Sequence, residues 1–406
     1  MARLSRREFL GAGAAAVGAG AALAAGGGAL GLTLADQASA STPFHGAHQA
    51  GAVQPPAPVV AILAIDVIAS TRSELVDLLQ TITQRARLLV EGGAPEDLGP
   101  ASPPEDNGIL GPLLPARQLT MVLGLGASLF DERFGLAGAM PTGLTQMTTF
   151  PNDNLDPTQI HGDLSVSLQA DRVDTIIHAM RDITKHTRGA MQPRWRIDGV
   201  LAPPRPSGTP RNYLGFKDGI ANPDVTKAGV ANSLIWVQPG AGPAWTEGGT
   251  FQVVRVIRML VEFWDRVSLQ EQETMIGRRR DTGAPLDGNN QSDIPNYAAD
   301  PQGVAIPLTA HMRLANPRTP ATASSEILRR GWNYDRGIDV NGNLDQGLIF
   351  TCYQQDLKRQ FEAVQTRLIG EPLVDYISPT GGGYFFVPPG AKGPSDYYAS
   401  GLFATV

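Results

Sequence analysis

The sequence predicts an α+β fold in which a strand–helix–strand pattern occurs twice. Three observations predict it: short apolar runs rich in valine and isoleucine, longer segments with apolar residues at helical spacing, and Gly- and Pro-rich stretches between them. With 46 glycines and 32 prolines, the regular elements must be joined by long surface loops, and 92–115, 202–211, 240–249 and 277–301 read as such loops. A chain of 406 residues that is 42% hydrophobic can bury a large core and make two domain-sized units.

The first apolar run, Val59 to Val67, reads as a buried strand. Leu75, Leu78, Leu79, Ile82 and Leu88 then fall at helical spacing within 73–90, with Ser73 placed to cap the helix. Residues 119–125 form a second strand, 163–168 a third and 172–185 a helix, and Trp195 lies in the last strand of this half. In the second half, 251–264 reads as a strand and 269–277 as a helix. A strand over 348–353 follows, then an amphipathic helix over 356–368 with Phe361, Val364 and Leu368 on one face. The pattern reads as two ferredoxin-like halves, although no sequence repeat links them. The expected boundaries are 1–40 for a leader, 41–55 for an N-terminal extension, 56–210 for the first half and 211–406 for the second.

The leader sets the cellular context. Ser5-Arg6-Arg7-Glu8-Phe9-Leu10 matches a twin-arginine export signal, and the uncharged Gly- and Ala-rich stretch after it ends at a small-x-small cleavage site, Ala38-Ser39-Ala40. The expectation is an extracytoplasmic protein, passed through the twin-arginine translocase, with no membrane anchor after cleavage. A single cysteine, Cys352, excludes an intramolecular disulfide, an iron–sulfur cluster and a Cys-based zinc site held by this chain alone. It reads as a small core residue. A net charge of -6 without a basic patch gives no case for nucleic acid.

Six histidines need sorting. His45 and His48 read as part of an exposed N-terminal stretch, His161 as a turn residue, and His178 and His186 as surface or half-buried helix residues. His311 follows the apolar run 304–308 and precedes Arg313 and Asn316-Pro317-Arg318. Taken singly, the other notable residues are weak signals. Lys217-Asp218-Gly219 reads as a turn, and Arg329-Arg330 reads as surface charge on a helix.

In this order, however, Gly215-Phe216-Lys217-Asp218-Gly219 with Asn222-Pro223, the His311 segment and Ile327-Leu328-Arg329 resemble the dye-decolorizing peroxidases, a haem family marked by Gly-x-x-Asp-Gly. The resemblance covers nearly the whole chain after the leader. It implies that the two halves pack as a dimeric α+β barrel holding one haem b per chain, mainly in the C-terminal half. By the same resemblance His311 is the proximal iron ligand and Asp218 the distal acid–base. Arg329, eighteen residues after His311, stabilises charge on the departing oxygen. Gly219, Ile220 and Ala221 should lie against the ring. Asn316, Pro317 and Arg318 should meet the haem, with Arg318 suited to a propionate. Leu348 and Phe350 are candidates for the distal wall, Arg330 for a solvent or propionate contact, and Asp356 or Glu326 for the carboxylate behind His311.

The partners implied are hydrogen peroxide and an organic electron donor, with homo-oligomerisation left open. Tyr334, Trp332, Tyr353 and Tyr384 are candidate surface residues for electron transfer. The rival reading is a haem-handling protein that releases iron and leaves the porphyrin intact. An aspartate titrating near its ordinary value of about 3.9 works best as acid–base at low pH, which predicts a peroxidase optimum between roughly pH 4 and 5.5. A pH–rate profile checks this, and an optimum above about 7.5 would count against Asp218 as the proton shuttle.

Overall fold

The computed structural model describes residues 43–115 and 119–404, so the twin-arginine motif and cleavage site lie outside the described residues. Eight strands close into one antiparallel barrel: β1 (Val59–Val67), β2 (Leu119–Gly126), β3 (Leu164–Ala170), β4 (Met191–Val200), β5 (Thr250–Met259), β6 (Leu328–Ile338), β7 (Leu344–Gln354) and β8 (Ile377–Val387). Their order around the barrel is β1-β3-β2-β8-β5-β7-β6-β4. The first half therefore reads β4-β1-β3-β2 and the second β8-β5-β7-β6, the same permutation of four strands. Two ferredoxin-like halves share one closed sheet. They meet where Leu125 and Gly126 of β2 pair with Phe386 and Phe385 of β8, and where Val200 of β4 pairs with Asn333 of β6.

Closure explains the apolar runs. Val60, Ile62 and Ala64 of β1, Val254 and Val256 of β5 and Ile349 of β7 join one cluster inside the barrel. The alternate residues of β1 pack instead against α1 (Arg72–Glu91) and α2 (Val173–His186), so the strand is buried on both faces and reads as continuous hydrophobic sequence. Helix α1 is capped by Thr71 rather than Ser73. The Thr71 hydroxyl accepts from the Glu74 N–H at 3.2 Å while the Glu74 carboxylate accepts from the Thr71 N–H, a reciprocal cap.

Several expectations change in the second half. The run 251–264 is not all strand: β5 ends at Met259, and a short helix, Val261–Trp264, buries Trp264. Both parts are apolar in sequence, so hydrophobicity alone does not separate them. Arg329 and Arg330 lie on β6, not on a helix. Residues 356–368 form a π-turn, Leu357–Glu362, continued by an α-helix, Ala363–Leu368.

Other corrections concern burial. His178 is 1% exposed, held by Asp106 and Asn107 of the 92–115 loop. Residues 43–55 are not an exposed tail. Phe44 and Gln49 are buried, and His48 stacks on Trp236 with centroids 3.7 Å apart. The Gln49 amide bonds both backbone groups of Leu123 on β2 and the Pro388 carbonyl just beyond β8. Trp332, Tyr334, Tyr353 and Tyr384 are all buried and none is a surface residue, because the barrel and its outer layers enclose them. Cys352 is a buried core thiol, as expected, and donates to the Gln354 side-chain oxygen.

One ion pair braces the end of the first half. The Asp163 carboxylate accepts from the Val67 N–H at 3.0 Å, the Ser128 hydroxyl at 2.7 Å and two nitrogens of Arg133 at 2.9 and 3.0 Å. Burial pushes its pKa up, but the bonds from Arg133, Ser128 and Val67 outweigh this and hold it below the usual carboxylate range. Stability from a depressed carboxyl is present above the unfolded-state pKa of about 3.9 and is lost as pH falls through the folded value. Asp163→Asn should therefore cost about 1–3 kcal/mol at neutral pH, with the gap to wild type closing below about pH 4, as read by denaturant titration.

Candidate functional site

The outward-facing residues of the second half's strands, among them Arg255, Ile257, Leu348 and Phe350, floor a cavity of about 1670 Å³, counting its open mouth. Its other walls are the loop 212–221, the short helix α3 (His311–Ala315) with the chain after it, and residues 361–373. Every lining residue falls between Asn212 and Pro379, within the second half.

Asp218 stands on a loop whose shape depends on glycine. Gly215 and Gly219 have φ of 85° and 82°, the left-handed region that side chains disfavour. The Asn212 side-chain oxygen accepts from the Leu214 and Phe216 N–H groups, and the Asp218 N–H donates to the Pro210 carbonyl at 2.9 Å, which fixes the turn. Arg329 Nη1 donates to Asp218 Oδ1 at 3.3 Å. Arg329 is held through its backbone: the Asn222 amide donates to its carbonyl at 2.8 Å and accepts from its N–H at 2.9 Å. Gly331 lies beside the pair, where an added Cβ would come 3.0 Å from Asp218 Oδ2 and 3.2 Å from Leu348 Cδ1.

His311 is the first residue of α3, and its Nδ1 lies 2.6 Å from Glu371 Oε2. An ionised carboxylate only accepts, so Nδ1 carries the proton and Nε2 keeps a lone pair on a side chain that lines the cavity. Burial pulls the imidazole's pKa down, but the Glu371 carboxylate more than offsets it and the balance stands above the ordinary value. Neither expected carboxylate serves. Asp356 accepts from the Arg359 N–H at 2.7 Å as a helix cap, and Glu326 accepts from the Asn316 amide at 3.1 Å.

Two guanidiniums of the cavity, Arg278 and Arg318, have no carboxylate within ion-pair distance among the described residues. Arg278 is 7% exposed and bonds only to the carbonyls of Gly283 and Gln291. Burial chiefly, with nearby Arg318 and Arg329, lowers its pKa despite Tyr297 and Asp287. Arg318 lines the same space, and among the described residues neither guanidinium has a carboxylate partner.

Of the residues singled out from the sequence, Asp218, Gly219, Ile220, Ala221, His311, Asn316, Arg318, Arg329, Leu348 and Phe350 line this one cavity, and Pro317 does not. Arg330 also lies elsewhere: it is buried and donates to the Ala52 carbonyl, because alternate residues of β6 face opposite sides. Sequence reasoning missed Glu371, Arg278 and Gly331, none of which stands in a pattern of its own.

Comparison with known proteins agrees with this layout. Residues 49–201 match the model for the N-terminal part of the Dyp-type peroxidases, and 209–392 the model for their C-terminal part. The chain belongs to the Dyp-type peroxidase family. It is 48% identical to a deferrochelatase of Escherichia coli K12 over 90% of this chain and 88% of that protein. With a deferrochelatase of Yersinia pestis the identity is 46%, over 89% and 84%. Among solved structures, ferric DtpA of Streptomyces lividans superposes with a TM-score of 0.81 at 33% identity, over 90% of this chain and 97% of that one. A DyP-type peroxidase of Cellulomonas bogoriensis gives 0.79 at 35%, over 89% and 98%.

The crowding at Gly331 yields a prediction. Gly331→Ala should lower peroxide-dependent turnover about tenfold, because Asp218 must shift by a few tenths of an ångström while the fold is kept. Steady-state rates with the melting curve as control check it.

Proposed function

We propose that this protein is a haem-dependent peroxidase that reduces hydrogen peroxide and takes electrons singly from an organic donor. One observation carries the reading: a single cavity is lined both by a carboxylate-backed histidine and by the Asp218–Arg329 pair. The donor set suits haem. Nε2 of His311 offers a neutral nitrogen for iron, the Leu348 and Phe350 side suits an apolar ring, and the unpaired Arg278 and Arg318 suit two carboxylates. Bound haem supplies the redox chemistry, carrying two electrons to the peroxide and recovering them one at a time.

The chain's own groups do the rest. Glu371 fixes the tautomer and orientation of His311 and makes Nε2 a stronger donor. Asp218 takes a proton from the incoming peroxide and returns it to the oxygen that leaves as water. Arg329 holds Asp218 in place and offsets negative charge as the O–O bond breaks. Export as a folded protein by the twin-arginine route belongs to the same reading, resting on Ser5 to Leu10 and the Ala38-Ser39-Ala40 site. No described helix is long and apolar enough to cross a membrane.

The relatives named deferrochelatase favour a second reading, iron release from haem with the porphyrin left whole. Substitution separates the two. Asp218→Asn and Arg329→Leu should keep haem, seen as the Soret band, and slow the reaction with one equivalent of peroxide by roughly 10²–10³-fold. A Soret band that peroxide leaves unchanged in the wild type, with porphyrin fluorescence appearing as iron departs, would replace peroxidase by iron release. A chain that takes up no haem when supplied with it would end both readings.

A further inference from the structure

Among the described residues the first half lends none to the cavity's lining, yet one of its loops grips the wall that carries Glu371. Residues 148–156, between β2 and β3, reach across to 361–380 of the second half. The Thr148 hydroxyl donates to Glu362 Oε1 at 2.7 Å, and the Phe150 ring meets Phe361 edge-on with centroids 6.3 Å apart. The Asn152 amide donates to the Ile369 carbonyl at 3.0 Å, at the end of the helix Ala363–Leu368 and two residues before Glu371. The Asn154 and Asp156 N–H groups donate to the carbonyls of Pro379 and Thr380 at 2.9 and 2.8 Å, near the start of β8. The loop is anchored by an enclosed pair. Asp153 meets Arg255 of the cavity floor, the two side chains being 0% and 2% exposed, and its other oxygen accepts from the Phe150 N–H at 2.9 Å.

These bonds fall on both sides of Glu371. Within the second half, Arg367 donates to the Leu314 and Ala315 carbonyls at 2.9 and 3.0 Å, which ties the helix Ala363–Leu368 to the end of α3. That contact sets the helix against His311 but leaves the turn beyond it free to pivot. The Ile369 carbonyl stands at a helix end, where the helix itself supplies no donor, and the first-half loop supplies one through Asn152. A 2.6 Å bond between Glu371 and His311 tolerates little displacement of the carboxylate, so the turn must be held from outside. We propose that the loop 148–156 positions Glu371 on His311, with Asn152 as its point of control, so that the first half sets how strongly His311 donates to iron. The inference rests on the haem reading and goes beyond it by giving the first half a part in the site.

Asn152→Ala tests this at a half-buried position that the fold can spare. In the haem-free protein it should speed hydrogen exchange at the amides of 369–376 about tenfold and leave those of β1 and β3 unchanged. In the haem-loaded protein a less well oriented carboxylate makes His311 a weaker donor, which favours ferrous iron. The one-electron reduction equilibrium should therefore move about tenfold towards ferrous, about 59 mV upwards, as read by spectroelectrochemical titration. Glu371→Gln should move it in the same direction at least as far. Asn152→Ala added to Glu371→Gln should move it no further, because the loop acts through Glu371. Unchanged exchange, an unchanged potential, or an equal further shift in the Glu371→Gln background would overturn the positioning role. Failure of the wild type to take up haem would instead overturn the haem reading, and the exchange comparison would still decide whether the loop holds Glu371.

Discussion

The unpaired edge of β6 at Arg329 is the constraint on which the rest of the site depends. Closing the barrel requires β4 and β6 to meet, yet they pair at Val200 and Asn333, beyond the stretch that carries Arg329. The Arg329 N–H and carbonyl on that edge would otherwise face the cavity wall without partners, a costly state for buried backbone. Asn222 supplies both bonds with one amide, and so ties the segment after Gly219 to the strand. Asp218 is thereby held against Arg329 by a backbone clamp rather than by the 3.3 Å ion pair alone. An ion pair about a quarter exposed on each side is a weak organiser. The clamp is why the acid has one position.

The same economy governs the other wall. His311 and Glu371 come from segments sixty residues apart and meet at 2.6 Å, with the carboxylate only 3% exposed. A buried carboxylate demands a partner that donates, and the imidazole N–H is that partner. The bond decides which nitrogen is free before any ligand arrives. Each wall therefore carries a carboxylate in a different setting: Glu371 is buried against the His311 N–H, while Asp218 is left about a quarter exposed to the cavity.

Legibility in the sequence followed the physics of each element. Strands buried on both faces, such as β1 and β7, announce themselves as apolar runs. β6, with charges at Arg329, Arg330, Asp335 and Arg336, and β8, with Gly381 to Gly383 after Pro379, lack that signal and were not foreseen. They are strands because their neighbours in the barrel leave them no alternative. The Asp218 loop is marked by a local motif, since Gly215 and Gly219 take positive φ around the acid. Glu371 could not be found that way, because its role exists only once the chain has folded back on His311. Asp356 and Glu326 were reasonable candidates on sequence distance, and each is taken by a local bond instead, a helix cap and an asparagine.

Charge in the cavity completes the argument for what fills it. Asp218 is matched by Arg329, Glu371 by the His311 N–H, and Arg255 by Asp153. Of the described guanidiniums lining the cavity, Arg278 and Arg318 remain without a carboxylate within ion-pair distance, and burial first, with nearby Arg318 and Arg329, lowers the pKa of Arg278. Arg278 is buried beside a largely apolar space while Arg318 stands exposed at its edge, and an anionic ligand would offset the cost of burying Arg278. A neutral ring would leave them unpaired, and a single carboxylate would satisfy only one. A flat apolar ligand with two carboxylates and a metal at its centre answers the two cations, the apolar wall and the His311 lone pair together.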